Sequence, residues 1–143
     1  MQDTSLFEAS YAAFNEDDID SLLELYSEDC VWDMSRFPGA GLGPAEVYSG
    51  HDGLRQFLEE FRTFIEPWGG ARTELDRVLD LGDSRFWLEG RSRLGSVASD
   101  TELVDEWIQL ITVGEGDRIA AVVMYWDPEE ARRDAGLAKV PAP

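Results

Sequence analysis

The sequence predicts an α+β fold in which a curved antiparallel sheet packs against helices and encloses a pocket. Apolar residues recur at helical spacing across the first half of the chain, as far as about residue 66. Four segments with the residue pattern of β-strands follow between residues 72 and 126, and turn sequences rich in glycine and aspartate separate them. Helices first and a run of strands afterwards are typical of α+β proteins.

Two helices open the chain. The polar stretch of residues 15–18 separates them, and Asp17 or Asp18 is expected to cap the second helix. The predicted apolar stripes are Leu6, Phe7, Tyr11 and Phe14 in the first helix, and Ile19, Leu22, Leu23, Leu25 and Tyr26 in the second.

A short strand, a long loop and a third helix come next. Residues 30–34 predict the strand, and the glycine- and proline-rich residues 35–50 predict a loop of the length that often serves as a functional lid. His51 or Asp52 starts the third helix, which runs to about residue 66, and we interpret His51 as a helix-start residue rather than a base. The apolar side of this helix is expected to be Leu54, Phe57, Leu58, Phe61 and Ile65.

Four strands and a last helix complete the fold. The strands are predicted at residues 72–81, 85–94, 102–113 and 118–126. Asp127 and Pro128 have the residue types of a helix cap and first helical position, and Gly136 suits the position just past the end. We expect one domain over residues 1–137 and a flexible tail over residues 138–143.

Composition excludes several classes of function. With 30 acidic residues against 12 Lys and Arg, the net charge is −18, which disfavours nucleic-acid and membrane partners. One cysteine and one histidine leave no set of ligands for a Cys- or His-based metal site, and no nucleotide-binding fingerprint is present, so we expect no cofactor. Without an export signal or an apolar run long enough to span a bilayer, the chain is expected to be cytoplasmic.

The order of these elements resembles the nuclear transport factor 2-like superfamily, and within it the SnoaL-like (polyketide-cyclase-like) branch. The stretches that show the resemblance are AFNEDDIDSLLELYSEDCVWD (13–33), YSGHDGLRQFLEEF (48–61) and GDRIAAVVMYWDPEEARRDAGL (116–137). The resemblance implies a cone-shaped, cystatin-like α+β barrel, with a curved mixed or antiparallel sheet around three N-terminal helices and a small-molecule cavity. It also implies a homodimer through the outer sheet face, where Phe86 and Leu88 would lie.

The catalytic sets of this superfamily are incomplete in the chain. Aligned with ketosteroid isomerase, the base position falls on Met34, with Asp33 beside it on the opposite strand face. If the register slips by one residue, these two exchange roles. The position of the protonated aspartate falls on Gln109, and Tyr11 lies one position from the family tyrosine.

The epoxide hydrolase set of relatives is incomplete as well. Glu89 and Arg91 supply one acid–arginine pair, and Met124 stands where an aspartate would be required.

The family register places Trp87, Glu89, Arg91 and Arg93 on the concave side of the sheet, and an alternative interpretation places this strip in water. The catalytic candidates are Glu89, Arg91 and Asp105. The ligand-binding candidates are Tyr11, Trp32, Met34, Tyr48, Phe61, Trp87, Trp107, Gln109, Met124 and Trp126.

Three functions stay open at this point. The first is a cofactor-independent isomerase, lyase or hydrolase acting on a small, partly apolar molecule. Glu89 or Asp105 would be the base, and Arg91, Gln109 and Tyr11 would polarise an oxygen. The second is a non-catalytic ligand-binding or accessory dimer of the same fold. The third is a protein-interaction module, which would need an exposed apolar patch beyond the dimer face.

Overall fold

A computed structural model describes residues 4–36, 47–95 and 103–142 and has the α+β architecture that the sequence predicts. The helices are α1 (Ser5–Asn15), α2 (Ile19–Glu24), α3 (Gly50–Ile65) and α4 (Pro128–Ala135). The strands are β1 (Tyr26–Asp33), β2 (Val47–Ser49), β3 (Ala71–Gly82), β4 (Arg85–Leu94), β5 (Leu103–Val113) and β6 (Ile119–Tyr125). None of the described helices has the length and apolar character needed to cross a membrane.

The described strands form one curved mixed sheet in the order β2-β1-β6-β5-β4-β3. Strands β1 and β6 pair in parallel, and every other neighbouring pair is antiparallel. Helices α1, α2 and α3 pack on the concave face around Phe7, Leu22 and Leu54, which are all buried. Helix α4 packs on the outer face, where Ala131 contacts a second apolar cluster that includes Trp87.

The second helix is shorter than predicted. Asp18 caps it as expected and accepts a hydrogen bond from the backbone N–H of Ser21 at 3.2 Å. The helix ends at Glu24, and Tyr26 begins β1 instead of extending the apolar stripe. Tertiary pairing overrides the helical pattern here, because the backbone N–H of Ile119 donates to the carbonyl of Leu25 at 2.9 Å and Tyr26 pairs with Ile119.

The last helix begins and ends as predicted. The carboxylate of Asp127 accepts a hydrogen bond from the N–H of Glu129 at 3.0 Å, and Pro128 is the first helical residue. Gly136 adopts the left-handed conformation (φ 77°) that ends the helix. The predicted loop at residues 35–50 contains the short strand β2, whereas most of the proposed lid, residues 37–46, lies outside the described residues.

The predicted orientation of β4 is wrong. Pairing matches Leu88 with Gln109, so the even-numbered residues of β4 share the concave face with the odd-numbered residues of β5. Phe86 and Leu88 therefore belong to the inner core rather than to an outer dimer face, and Trp87 lies in the outer cluster. Alternation could not reveal this, because α4 covers the outer face and leaves Trp87 and Leu88 both 0% exposed.

The C-terminal residues contact the outer face of the sheet. Val140 packs against the cluster that contains Trp87, and the guanidinium of Arg77 donates to the carbonyl oxygens of Pro141 and Ala142. The sequence predicts a flexible tail from residue 138, and these contacts hold its described part, through residue 142, against β3.

Candidate functional site

A cavity of about 270 Å³ lies between the concave face of the sheet and helices α1, α2 and α3. Nine of the residues predicted to bind a ligand or act in catalysis line it: Tyr11, Trp32, Met34, Phe61, Asp105, Trp107, Gln109, Met124 and Trp126. They meet because β5 and β6 direct alternate side chains inward, opposite the inner faces of α1 and α3.

The deep part of the cavity is apolar and aromatic. The ring of Trp32 lies 4.7 Å from that of Phe57 and 6.3 Å from that of Tyr26. Met34 and Met124 add flexible thioether side chains to the same wall. This lining favours contact with an apolar ligand group, because its side chains are mostly aromatic or aliphatic. The indole nitrogen of Trp32 is buried there with no hydrogen-bond partner among the described residues.

A chain of hydrogen bonds crosses the middle of the cavity. The indole N–H of Trp107 donates to the hydroxyl oxygen of Tyr11 at 3.3 Å. The hydroxyl of Tyr11 in turn donates to the amide oxygen of Gln109 at 2.6 Å. Since the oxygen of Gln109 is engaged, its amide nitrogen is the end of the chain that can donate to a ligand.

Gly90 makes this chain possible. It pairs with Trp107 across β4 and β5 and faces the cavity side. A Cβ atom there would lie 2.7 Å from the hydroxyl oxygen of Tyr11 and 2.8 Å from the indole nitrogen of Trp107. The missing side chain therefore provides the space in which the two polar groups meet.

Burial keeps Tyr11 protonated. Desolvation raises the pKa of its hydroxyl far above the ordinary value, and this effect outweighs the hydrogen bond from Trp107, which lowers it. Tyr11 therefore acts as a neutral hydrogen-bond donor at physiological pH and not as a base.

Two polar side chains face each other nearer the open end of the cavity. Ser92 and Asp105 are directly paired across β4 and β5, and both line the cavity. Ser92 is buried, and its hydroxyl has no hydrogen-bond partner among the described residues. Trp126, which is 53% exposed, lines the same end.

Four predicted site residues lie outside the cavity. Tyr48 is buried behind it, where its hydroxyl donates to Glu60 at 2.6 Å and its ring packs edge-on against Phe57. Trp87, Glu89 and Arg91 project from the outer face of β4, because the odd-numbered residues of this strand point away from the cavity.

The acid–arginine pair proposed for catalysis is split between two outer-face ion pairs. Glu89 pairs with Arg77 at 2.6 Å and also accepts a hydrogen bond from the indole of Trp87 at 2.9 Å. Burial raises the pKa of Glu89, but the hydrogen bonds from Arg77 and Trp87 outweigh it and hold the pKa below its usual value. Arg91 instead binds Asp76 at 2.8 Å. Neither group reaches the cavity, so the predicted placement of Glu89 and Arg91 is wrong.

The structure resolves two alternatives left open by the sequence. Met34 is buried in the cavity wall, whereas Asp33 accepts a hydrogen bond from the backbone of Ser35 at 2.8 Å on the other strand face. His51 lies outside the cavity, and its Nε2 is 3.0 Å from the carbonyl oxygen of Tyr26. Within residues 4–36, 47–95 and 103–142, no group of three His, Cys, Asp or Glu side chains is placed to hold a metal ion.

Sequence reasoning missed Gly90 and Ser92 as site residues. The corrected orientation of β4 places both in the site, since the even-numbered residues of this strand face the cavity. The pairing of Gly90 with Trp107 offers a usable signal, because a glycine inside a strand often marks a close approach of a bulky neighbour.

Comparison with known proteins places the chain among SnoaL-like domains. The model of the SnoaL-like domain matches residues 7–122. A comparison with curated protein sequences found no match.

Three solved structures illustrate the likeness in fold. TerC, co-crystallized with polyporic acid, is 22% identical, with a TM-score of 0.69 over 92% of this chain and 96% of that chain. The epoxide hydrolase/cyclase-like enzyme SalBIII, described in pyran ring formation in polyether salinomycin, is 13% identical, with a TM-score of 0.65 over 87% of this chain and 89% of that chain. RV0760c from Mycobacterium tuberculosis, in complex with estradiol-17beta-hemisuccinate, is 12% identical, with a TM-score of 0.65 over 87% and 92% of the two chains.

Proposed function

Because the chain belongs to the family of SnoaL-like domains, we propose that it binds one small, largely apolar molecule that carries a hydrogen-bond-accepting oxygen. The apolar part would occupy the deep end of the cavity near Trp32 and Phe57, and the oxygen would accept a hydrogen bond from the amide nitrogen of Gln109.

The hydrogen-bond chain is the observation that supports this proposal most directly. A buried amide whose oxygen is engaged by Tyr11 has two N–H donors directed by that bond. An apolar ligand with a carbonyl or ether oxygen satisfies such a donor without placing a charge in the cavity. Relatives of the same fold bind polyporic acid and estradiol-17beta-hemisuccinate, which supports a small-molecule ligand here.

Binding accounts for the lining better than isomerase chemistry does. Met34 occupies the position that the resemblance assigns to a catalytic base, and a thioether cannot take up a proton. Asp105 is four residues from Gln109 along β5, so their backbones are about 13 Å apart. The two groups therefore contact a ligand at points well separated along β5, which fits two binding contacts more simply than an acid and a base at one reacting centre.

The test compares two probes that differ in one oxygen. We expect 2-acetylnaphthalene to bind more tightly than 2-ethylnaphthalene, measured by calorimetry and by quenching of tryptophan fluorescence. Gln109→Met should weaken binding of the ketone by about tenfold and leave the hydrocarbon nearly unchanged, because only the ketone uses the amide. Gln56→Met removes an exposed amide from α3 and serves as the matched control. Equal affinity of wild type and Gln109→Met for the ketone would refute the role of the amide.

Acid–base catalysis is the second candidate, and Asp105 is the observation in its favour. Its carboxylate lines the same cavity as Tyr11 and Gln109 and forms no hydrogen bond or ion pair with the described residues. The neighbour SalBIII is an epoxide hydrolase/cyclase-like enzyme, which is consistent with such a reaction. Turnover of an aryl epoxide that is abolished by Asp105→Asn and retained by Glu106→Gln would support this function over simple binding.

We also propose a homodimer through the outer face of the sheet, at the end that α4 leaves open. Val31 and Val47 lie on this face of β1 and β2 and are 36% and 49% exposed. Exposed apolar side chains on a paired sheet surface favour contact with a second copy of the chain.

A further inference from the structure

At the open end of the cavity, a carboxylate and a hydroxyl lie on paired strands, and neither has a polar partner in the part of the chain that the structure describes. Ser92 lines the cavity and is 3% exposed, and its Oγ has no hydrogen-bond partner within residues 4–36, 47–95 and 103–142. Asp105 lies directly opposite on β5, at the spacing that lets paired side chains contact the same group. A buried hydroxyl without a partner is uncommon, and a ligand is one way to satisfy it.

Positive charge is missing from the described lining. None of the lining side chains is a lysine, arginine or histidine, and Asp105 is the ionisable acid among them. The two arginines of β4 nearest to Asp105 in sequence register, Arg91 and Arg93, project from the other face and bind Asp76 and Glu74. The net charge of −18 adds a negative field around the cavity.

Indole side chains line the same cavity as Asp105. Trp107 is two residues from Asp105 on the same face of β5, and Trp126 lines the cavity from the end of β6. Indole faces attract organic cations, and this attraction adds to that of a nearby carboxylate.

From this arrangement we infer that the open end of the cavity holds an organic ammonium group and that the site rejects carboxylate ligands. The ammonium N–H groups donate to Asp105 and Ser92 while an indole face covers its alkyl substituents. The inference rests on the proposed binding function and specifies its ligand class. That ligand is an amine with an apolar body, and any accepting oxygen that it carries lies toward Gln109, four residues along β5 from Asp105.

The test uses three probes with one carbon skeleton. They are 3-phenylpropylamine, which is protonated at pH 7, the neutral 3-phenylpropan-1-ol and the anionic 3-phenylpropanoate. We expect the amine to bind about tenfold more tightly than the alcohol, since a partly exposed ion pair and a cation–π contact each add a modest gain. The carboxylate is expected to bind more weakly than the alcohol. Calorimetry at constant ionic strength measures all three affinities.

A substitution at the neighbouring acid Glu106 distinguishes the effect of Asp105 from the effect of the overall negative charge. Asp105→Asn should abolish the preference for the amine, whereas Glu106→Gln, which removes the same charge from the opposite face of β5, should preserve it. Ser92→Ala should lower affinity for the amine by a smaller factor.

The outcomes distinguish this inference from the proposal on which it rests. If the alcohol binds and the amine shows no preference, or a preference that survives Asp105→Asn, the inference is overturned and the binding function stands. If none of the three probes nor the naphthyl ketone binds, both are overturned.

Discussion

A methyl group at Gly90 would lie 2.7 Å from the hydroxyl oxygen of Tyr11, closer than two such atoms can approach. The glycine on β4 and the tyrosine on α1 therefore depend on each other, and the hydrogen-bond chain to Gln109 depends on both. The hydrogen-bond chain in the cavity therefore requires glycine at position 90, although glycine itself has no side chain.

Gly90→Ala is expected to destabilise the protein by about 1–3 kcal/mol. The new methyl group displaces Tyr11 and Trp107, and it also meets the rigid carbonyl oxygen of Glu74 at 3.0 Å. Urea denaturation measures the loss, and affinity for 2-acetylnaphthalene should fall with it because Gln109 loses its orientation.

Tyr11→Phe provides the control for this prediction. In that background the contact with the hydroxyl oxygen is gone, so Gly90→Ala should cost less than it does in the wild type. Equal costs in the two backgrounds would show that Tyr11 is not the residue that requires the glycine.

Most of the fold was predictable because most of its helices and strands have a local signal, although β2 was not expected within the loop of residues 35–50. The cap at Asp127, the glycine at residue 136 and the strand alternation each specify structure within a few residues. The end of α2 was not predictable, because Tyr26 joins the sheet through pairing with Ile119, a partner distant in sequence.

The site residues on β5 were predictable, whereas those on β4 were not, because Trp87, Glu89 and Arg91 all lie outside the cavity. The resemblance correctly assigned the polar or amphipathic Trp107 and Gln109 to the inner face of β5, and both line the cavity. On β4, the apolar residues Phe86 and Leu88 are equally consistent with a dimer interface and with the core, and in the structure both are buried. The choice between the two faces depends on α4, whose coverage of Trp87 no pattern within β4 reveals.

Glu89→Gln tests the corrected orientation of β4. Because Glu89 lies on the outer face, ligand affinity should stay within about twofold of wild type, while Asp105→Asn changes the affinity for an amine. A large loss of ligand binding in Glu89→Gln would mean that the outer ion pair reaches the cavity.

Comparison of wild type with Glu89→Gln should also reveal a pH-dependent contribution of Glu89 to the free energy of unfolding. The folded pKa of Glu89 is below its ordinary value of 4.5, so its charge stabilises the folded state above that pH. This contribution is lost as the pH falls from 4.5 through the folded pKa. Unfolding of wild type and Glu89→Gln should therefore differ at pH 7 and converge in acid, as measured by urea titration at each pH.

Alkaline pH is expected to destabilise the protein through its buried tyrosines. Burial and the hydrogen bond to Glu60 raise the pKa of Tyr48 from 10.0 to about 12. Between these values the unfolded state has lost the phenolic proton and the folded state retains it, so stability falls as the pH rises. Each such tyrosine contributes a slope of up to about 1.4 kcal/mol per pH unit. Tyr48→Phe should reduce the slope between pH 10 and 12, and an unchanged slope would contradict the assignment.

Substitutions at the outer valines test the homodimer. Val31→Lys places a charge in an exposed apolar surface that a second copy would desolvate, so it should shift the protein from dimer to monomer in sedimentation velocity. Leu103→Lys, which alters a residue of similar exposure (42%) on β5, should leave the dimer intact. Added salt should strengthen association of wild type, because each copy carries a net charge of −18 and screening reduces their repulsion. A wild-type monomer at high salt and high concentration would exclude the outer-face dimer, and a dimer that survives both Val31→Lys and Val47→Lys would require a different surface.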